Sequence, residues 1–434
     1  MAGLVPAIGV FSVSGTHNAC MPRRKAYPWA GQKPDPGAGQ EKLEKMPEPI
    51  GAEQQVLDWL ADQRDAMLAL LATLVNTDSG SYDKAGVDAV GGHIRRFLGE
   101  HGITSELTPD ATFGDAIAAT VGQHRGPISN RPMLLMGHRD TVFPKGEPLR
   151  RPFRIAGERA YGPGVADMKA GLVMNCFLLA ALKKFGGAPA PVTALFTGDE
   201  EIGSPFSRPV IEAHARAARA VFNAEPGRAR GAAVTGRKGG VFMRFDIAGK
   251  AAHSGANFEQ GISAINELAH KTLALNALGD REKGITLNVG VVAGGQTVNT
   301  VAPWSRGEVD LRFIAPADRA ATMAKVEEIM AKSFVPGTST TLKITGEFLP
   351  LVESEAGKGL FEHYAAGLRE LGQEPKALFT GGCADSGFAA ATGTPTICAV
   401  GPVGGRAHSP DEYLEIDTLV PRAQALALAV LRLP

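Results

Sequence analysis

The chain has 434 residues, 44% of them hydrophobic, with 45 Lys+Arg balanced by 45 Asp+Glu. That is long enough for two domains with cores of their own, and a neutral chain without a long basic stretch excludes nucleic-acid binding on charge grounds. No apolar run approaches the ~20 residues of a membrane span, and the four cysteines, Cys20, Cys176, Cys383 and Cys398, are scattered without a Cys-x-x-Cys, which excludes a zinc finger and reads as reduced thiols.

Residues 1–50 read as a disordered tail. Met1–Val13 is apolar but holds Pro6 and lacks a basic n-region, so it is a poor secretory signal. The expected location is cytoplasmic, with periplasmic export as the alternative. Pro28 to Pro49 is rich in Pro, Gly, Gln, Lys and Glu, a composition that does not pack a core. Structure starts with an amphipathic helix expected over Ala52–Val75, where Trp59, Leu60, Met67, Leu68, Leu71, Leu74 and Val75 form an apolar stripe. A second helix is expected near Val87–Leu98, followed by alternating strands and helices to about residue 228. That βαβα order predicts an α/β fold built on a largely parallel sheet with helices on both faces.

Between about residues 235 and 346 the pattern changes. Strands are expected over Val241–Ile247, Gly284–Val292, Glu308–Phe313 and Thr340–Thr345, and helices over Gly261–Leu278 and Asp318–Phe334. The order βαββαβ is ferredoxin-like, a four-stranded antiparallel sheet with both helices on one face. The βα pattern then resumes with a helix over 355–371 and a strand over 395–400, so this domain is an insertion. The expected division is 51–232 for the first part of the catalytic domain, 233–346 for the insert and 347–434 for the second part.

The chemistry-bearing residues sit at the ends of apolar segments. The run from Pro191 to Gly198 stops on Asp199, Glu200 and Glu201, which places carboxylates at the C-terminal edge of a sheet. Met133-Leu-Leu-Met-Gly stops on His138, with Asp140 two positions later. If the strand stays extended the two side chains share a side, and Asp140 accepts the second imidazole N–H. Gly162-Pro-Gly164 forms a tight turn that sets Asp167 about where a helix over Leu172–Phe185 begins, a position for an N-cap or for a ligand. A short strand from Ala220 ends on Glu225, and a glycine-rich loop after Cys398 leads to His408. Each has a plain structural reading: a solvated turn, a cap, a structural histidine. Five N/O ligand candidates on successive segment ends point instead to a metal hydrolase. In such a site one of the adjacent Glu200 and Glu201 ligates while the other moves a proton. Imidazole and carboxylate suit zinc without excluding cobalt or manganese.

The motifs GHRDTVFP, GPGVADMKAG, TGDEEIGS, NAEPGR and RAHSPDE together resemble the metal-site signatures of the zinc aminoacylase/carboxypeptidase superfamily, especially its glutamate carboxypeptidase (carboxypeptidase G) branch, over roughly residues 55–434. The resemblance implies two zinc ions per chain bridged by Asp167 and a water or hydroxide. It gives Glu201 and His408 to one ion and His138 and Glu225 to the other, with Glu200 as general base and Asp140 behind His138. It also implies that His253 stabilises the tetrahedral oxyanion from across a homodimer formed by the insert. Asn299 and Arg312 would hold the substrate α-carboxylate, a task that suits the planar arginine fork.

In the loop Thr380-Gly381-Gly382-Cys383-Ala384-Asp385, the Gly381 and Gly382 amides could meet that carboxylate, but Ala384 stands where the family has Thr or Ser. Cys383 as a nucleophile lacks an evident base. The expected function is therefore a di-zinc metallopeptidase that releases a C-terminal amino acid, glutamate by resemblance. An N-acyl-amino-acid deacylase or dipeptidase is the alternative. Its substrates would be small peptides or N-acyl amino acids. A non-catalytic metal-binding dimer module is the contrasting class, and it leaves Glu200 without a task.

Overall fold

The computed structural model describes residues 51–122 and 130–433, so the expected tail, with Cys20, lies outside the described residues. The apolar stripe expected on one helix is divided between two, Gly51–Ala61 and Arg64–Val75, with Gln63 out of helical geometry at the break. A long straight helix would rotate its stripe out of register with the layer below. The break returns Leu57, Leu60, Leu68, Leu71 and Leu74 to one core. The next helix spans Lys84–Glu100, and its first turn is capped by the Asp83 carboxylate accepting from Gly86 N.

Eight strands form the large sheet, in the order Ser105–Thr108, Ala116–Val121, Val192–Thr197, Met133–His138, Ala220–Asn223, Thr396–Cys398, Ala233–Arg237, Ala377–Thr380. The four from Val192–Thr197 to Thr396–Cys398 are mutually parallel, while antiparallel pairs flank them on both sides. The sheet is thus mixed, with a parallel centre. Successive side chains along Met133–His138 alternate: Met133 and Leu135 join the core with the helices Ala170–Lys184 and Leu419–Arg432, whereas Leu134 and Met136 pack with Ile211, Ala215 and Phe388 on the other face. Burial on both faces explains the unbroken apolar reading of these strands. Each fully buried Leu, Met or Phe contributes about 1.5–3 kcal/mol.

The stretch Val165–Lys184 is 20 residues long and apolar enough by length and composition to cross a bilayer, contrary to the expectation that no such run exists. It is 94% buried inside the fold, so it serves as the central core helix and its entry turn. Cys176, Cys383 and Cys398 are free thiols.

The insert forms a separate sheet in the order Thr286–Gly294, Trp304–Phe313, Gly239–Ala248, Ser339–Phe348, every pair antiparallel. Val241, Met243, Phe245 and Ile247 alternate inward onto Leu268, Leu275, Met323 and Val326 of the helices Ala264–Asn276 and Pro316–Ala331. The insert begins at Gly239 and runs to Phe348, because Ala233–Arg237, expected within it, pairs into the large sheet instead. Inside the insert a buried cation is fully satisfied. Lys271 Nζ lies 3.0 Å from Glu267 Oε1, both side chains 0% exposed, and donates to the carbonyls of Ile329, Met330 and Lys332.

Candidate metal centre

Because the central strands run parallel, their C-terminal ends share one edge. His138 closes its strand there, and the turns after Thr197 and Asn223 bring Glu200, Glu201 and Glu225 to the same edge. His138 is buried, and its Nδ1 lies 3.0 Å from the Asp140 carbonyl oxygen. A carbonyl only accepts, so Nδ1 carries a proton and Nε2 is left to face the centre. The expected carboxylate partner sits slightly farther, with Asp140 Oδ1 3.3 Å from Nδ1. The Asp140 carboxylate instead ties down the neighbouring turn, accepting from Glu200 N and Glu201 N at 3.1 Å each and from Ser81 Oγ at 2.7 Å. Burial opposes its charge, but His138 and Ser81 hold Asp140 below the usual carboxylate range.

His138 Nε2 has no hydrogen-bond partner, yet it faces Asp167 Oδ1 at 3.3 Å, Glu225 Oε1 at 3.6 Å and Glu200 Oε2 at 3.8 Å. Burial opposes the imidazolium, but Glu200, Asp140 and Asp167 raise His138 well above its ordinary value, so either a proton or a cation stands between Nε2 and these carboxylates, and the N/O donor set fits a divalent metal.

Asp167 lies in the turn Val165–Lys169, with no capping hydrogen bond, so it does not serve as the N-cap of the helix starting at Ala170. Gly164 makes the turn possible at φ 73°, and a Cβ there would meet Thr141 Cγ2 at 2.6 Å. Asp167 points its second oxygen at the other histidine, Oδ2 being 3.4 Å from His408 Nε2. His408 also lies 3.1 Å from Glu201 Oε2. Donor atoms of His138, Asp167 and Glu201, and of His138, Glu200 and Glu225, all lie within 4.8 Å of one another, so proximity alone does not separate Glu200 from the ligand candidates.

Electrostatics follow from burying five carboxylates together. Burial, then Glu225, Asp385 and Glu201, push Glu200 well above its ordinary value. Burial raises Glu201 to about 7, while Asp167 and Glu201 raise His408 to about 10.

A cavity of about 340 Å³ opens over these groups. Asp167, Glu200, Glu201 and Glu225 line it, as do Arg228, Arg237 and Arg312. Of the expected carboxylate-holding residues, Arg312 and Gly382 line the cavity, whereas Gly381 and Asn299 do not. Arg312 donates to Asp310 at 2.7 Å and touches Cys383 Sγ at 2.6 Å. Burial pushes the Cys383 thiol up and, among the described residues, no base contacts it, which removes the nucleophile reading. Ala384 is buried with Val234, Leu351 and Cys398, so the absent hydroxyl faces core, not pocket.

His253 is exposed and also stands apart from the cavity, beside Asn299, with Ser254 N donating to the Asn299 carbonyl. Its Nδ1 accepts from Gly255 N and Ala256 N at 3.1 and 3.2 Å, which leaves the proton on Nε2 facing outward. Sequence reasoning missed Arg237, a buried guanidinium on the cavity wall 3.8 Å from Glu225 Oε2. The available signal was a charged residue closing the apolar run Ala232–Arg237.

Residues 134–432 match the family described as Peptidase family M20/M25/M40. Carboxypeptidase G2 of Pseudomonas sp. (strain RS-16) is 32% identical, covering 86% of this chain and 90% of that protein. Acetylornithine deacetylase of Edwardsiella ictaluri is 24% identical over 83% of this chain and 95% of that protein. Among solved structures, an M20 family metallo-carboxypeptidase from Sulfolobus solfataricus shares the fold with a TM-score of 0.72 at 18% identity, covering 85% of this chain and 99% of that one.

Proposed function

The chain belongs to peptidase family M20/M25/M40 and is a hydrolase of metallopeptidase type, and from that premise we propose that it is a two-zinc carboxypeptidase cleaving an amide bond to release a C-terminal amino acid. The likeness to Carboxypeptidase G2 favours glutamate as that amino acid. One observation carries the two-cation reading: the Asp167 carboxylate offers one oxygen toward His138 and the other toward His408. Asp167 would bridge, with His138 and Glu225 on one cation and His408 and Glu201 on the other. Bound there, the cations supply Lewis acidity toward the scissile carbonyl and acidify water near neutral pH.

The remaining work belongs to side chains. Glu200, held in place by its own amide on Asp140, takes a proton from the attacking water and passes it to the leaving nitrogen. Arg312 and Gly382, with Arg237 behind them, hold the substrate carboxylate at the cavity wall. His253 would come from the second copy of a homodimer and donate its Nε2–H to the developing oxyanion, a contribution of roughly 3–4 kcal/mol.

The test is a zinc-loaded sample assayed by mass spectrometry against peptidyl and N-acyl amino acids, with metal per chain counted in parallel. Release of a free C-terminal amino acid with two zinc ions per chain is expected. Hydrolysis restricted to small N-acyl groups would favour the deacylase alternative, and turnover at one ion per chain would remove the two-metal site.

A further inference from the structure

Glu412 is fully buried, lies four residues beyond His408 and touches the opposite arm of the centre. Its Oε1 accepts from Ala166 N and Asp167 N, each at 2.9 Å, and its Oε2 accepts from Gly164 N at 3.0 Å. Three converging amides make an anion nest, and its occupant is a carboxylate from the far end of the chain.

The arm that carries Glu412 is held in a demanding conformation. Arg406 and His408 adopt φ of 56° and 62°, although neither is glycine. Ser409 Oγ donates to the Arg406 carbonyl at 2.7 Å, and the strand Tyr413–Glu415 anchors the far side by pairing with Gly404–Gly405 and Arg159–Tyr161. Among the described residues, the hydrogen bonds that Glu412 accepts are the ones that lock this loop directly onto the Asp167 backbone. His408 and Asp167 approach to 3.4 Å across that lock.

We infer that Glu412 is the positioning residue that fixes His408 against Asp167, so that losing it releases the cation on the His408 side and spares the one on the His138 side. The inference rests on the two-cation reading. His138 needs no such lock, because its own strand and the Asp140 contacts hold it.

The experiment withdraws zinc from the wild type and from Glu412→Gln with a graded chelator series. Metal per chain is counted at each step, and thermal unfolding of the metal-free proteins is followed alongside. Gln keeps the shape and one acceptor oxygen, while Glu412→Ala, which removes both acceptor oxygens and with them all three hydrogen bonds, is the stronger version. One ion is expected to leave Glu412→Gln about 10- to 100-fold more readily than the wild type, with the other unchanged. Excess zinc should restore both metal content and kcat without moving KM. His408→Ala should lose the same ion, and adding Glu412→Gln to it should cost little more, since the two act through one element. Equal weakening of both ions, or lower stability of the metal-free protein with both affinities intact, would reduce Glu412 to a structural tie and overturn the inference. One zinc per chain in the saturated wild type would instead overturn the two-cation reading, and this inference with it.

Discussion

At the scale of single residues, the centre as proposed divides into groups that hold charge and one group, Glu200, that moves it. Glu200 and Glu201 are adjacent in sequence and both hang their amides on Asp140, yet Glu201 faces His408 while Glu200 faces His138. If Glu200 is the base, Glu200→Gln keeps its shape and loses only the proton-accepting oxygen. Metal content should stay at the wild-type level while kcat falls by about three or more orders of magnitude. Loss of metal together with activity would place Glu200 among the ligands. The carboxylates that hold cations should differ among themselves. Asp167→Ala removes the oxygens facing both histidines and should empty both sites, whereas Glu225→Ala removes one oxygen near His138 and should empty mainly one. Elemental analysis of the two variants decides it, and equal losses from both would remove the bridging role.

At the scale of elements, parallel strand ends were legible because each apolar run stopped on a charge, a pattern that survives without knowledge of the partners. His138, Glu201 and Glu225 stood out as ligand candidates for that reason, whereas Asp167 and His408 were candidates through the turn and the glycine-rich loop that precede them. The role proposed for Glu412 was not legible, since its hydrogen-bond partners lie 245 to 248 residues away and the motif RAHSPDE that ends on it points to His408 alone. The break at Gln63 and the transfer of Ala233–Arg237 to the large sheet were hidden for a related cause: both are decided by what the segment packs against, while its composition suits either outcome. The insert shows the same dependence. Helix Ala264–Asn276 carries Lys271 at a core position, a conflict by pattern alone that three carbonyls and Glu267 resolve. Lys271→Met would strand a buried carboxylate and three carbonyls, so we expect a loss of about 3–5 kcal/mol in the insert. Faster hydrogen exchange over residues 264–276, with zinc content unchanged, is the measurement. A change within about 0.5 kcal/mol would mean that the pair is replaceable by an apolar contact.

At the scale of the whole molecule, the outstanding fact is where His253 is not. Arg312 of the insert reaches the cavity, so the insert already contributes to the site within one chain, but the loop pair carrying His253 and Asn299 stays exposed and off the cavity wall. The same insert presents an edge strand, Thr286–Gly294, with Val291 and Val292 more than half exposed, and a bare sheet edge of this kind seeks a partner. A dimer through that edge would cover the valines and could deliver the outward Nε2–H of His253 to the neighbouring centre. Hinge closure within one chain is the competing route. Mixing inactive His253→Ala chains with inactive Glu200→Gln chains separates the two. If His253 acts across the interface, one site of each mixed dimer keeps both residues, and activity should recover to as much as half that of a wild-type dimer. If it acts within its own chain, every site lacks one group and the mixture stays inactive. An inactive mixture, after subunit exchange has been demonstrated by mass-tagged chains, would remove the second copy from the chemistry and leave closure of the insert as the way His253 arrives.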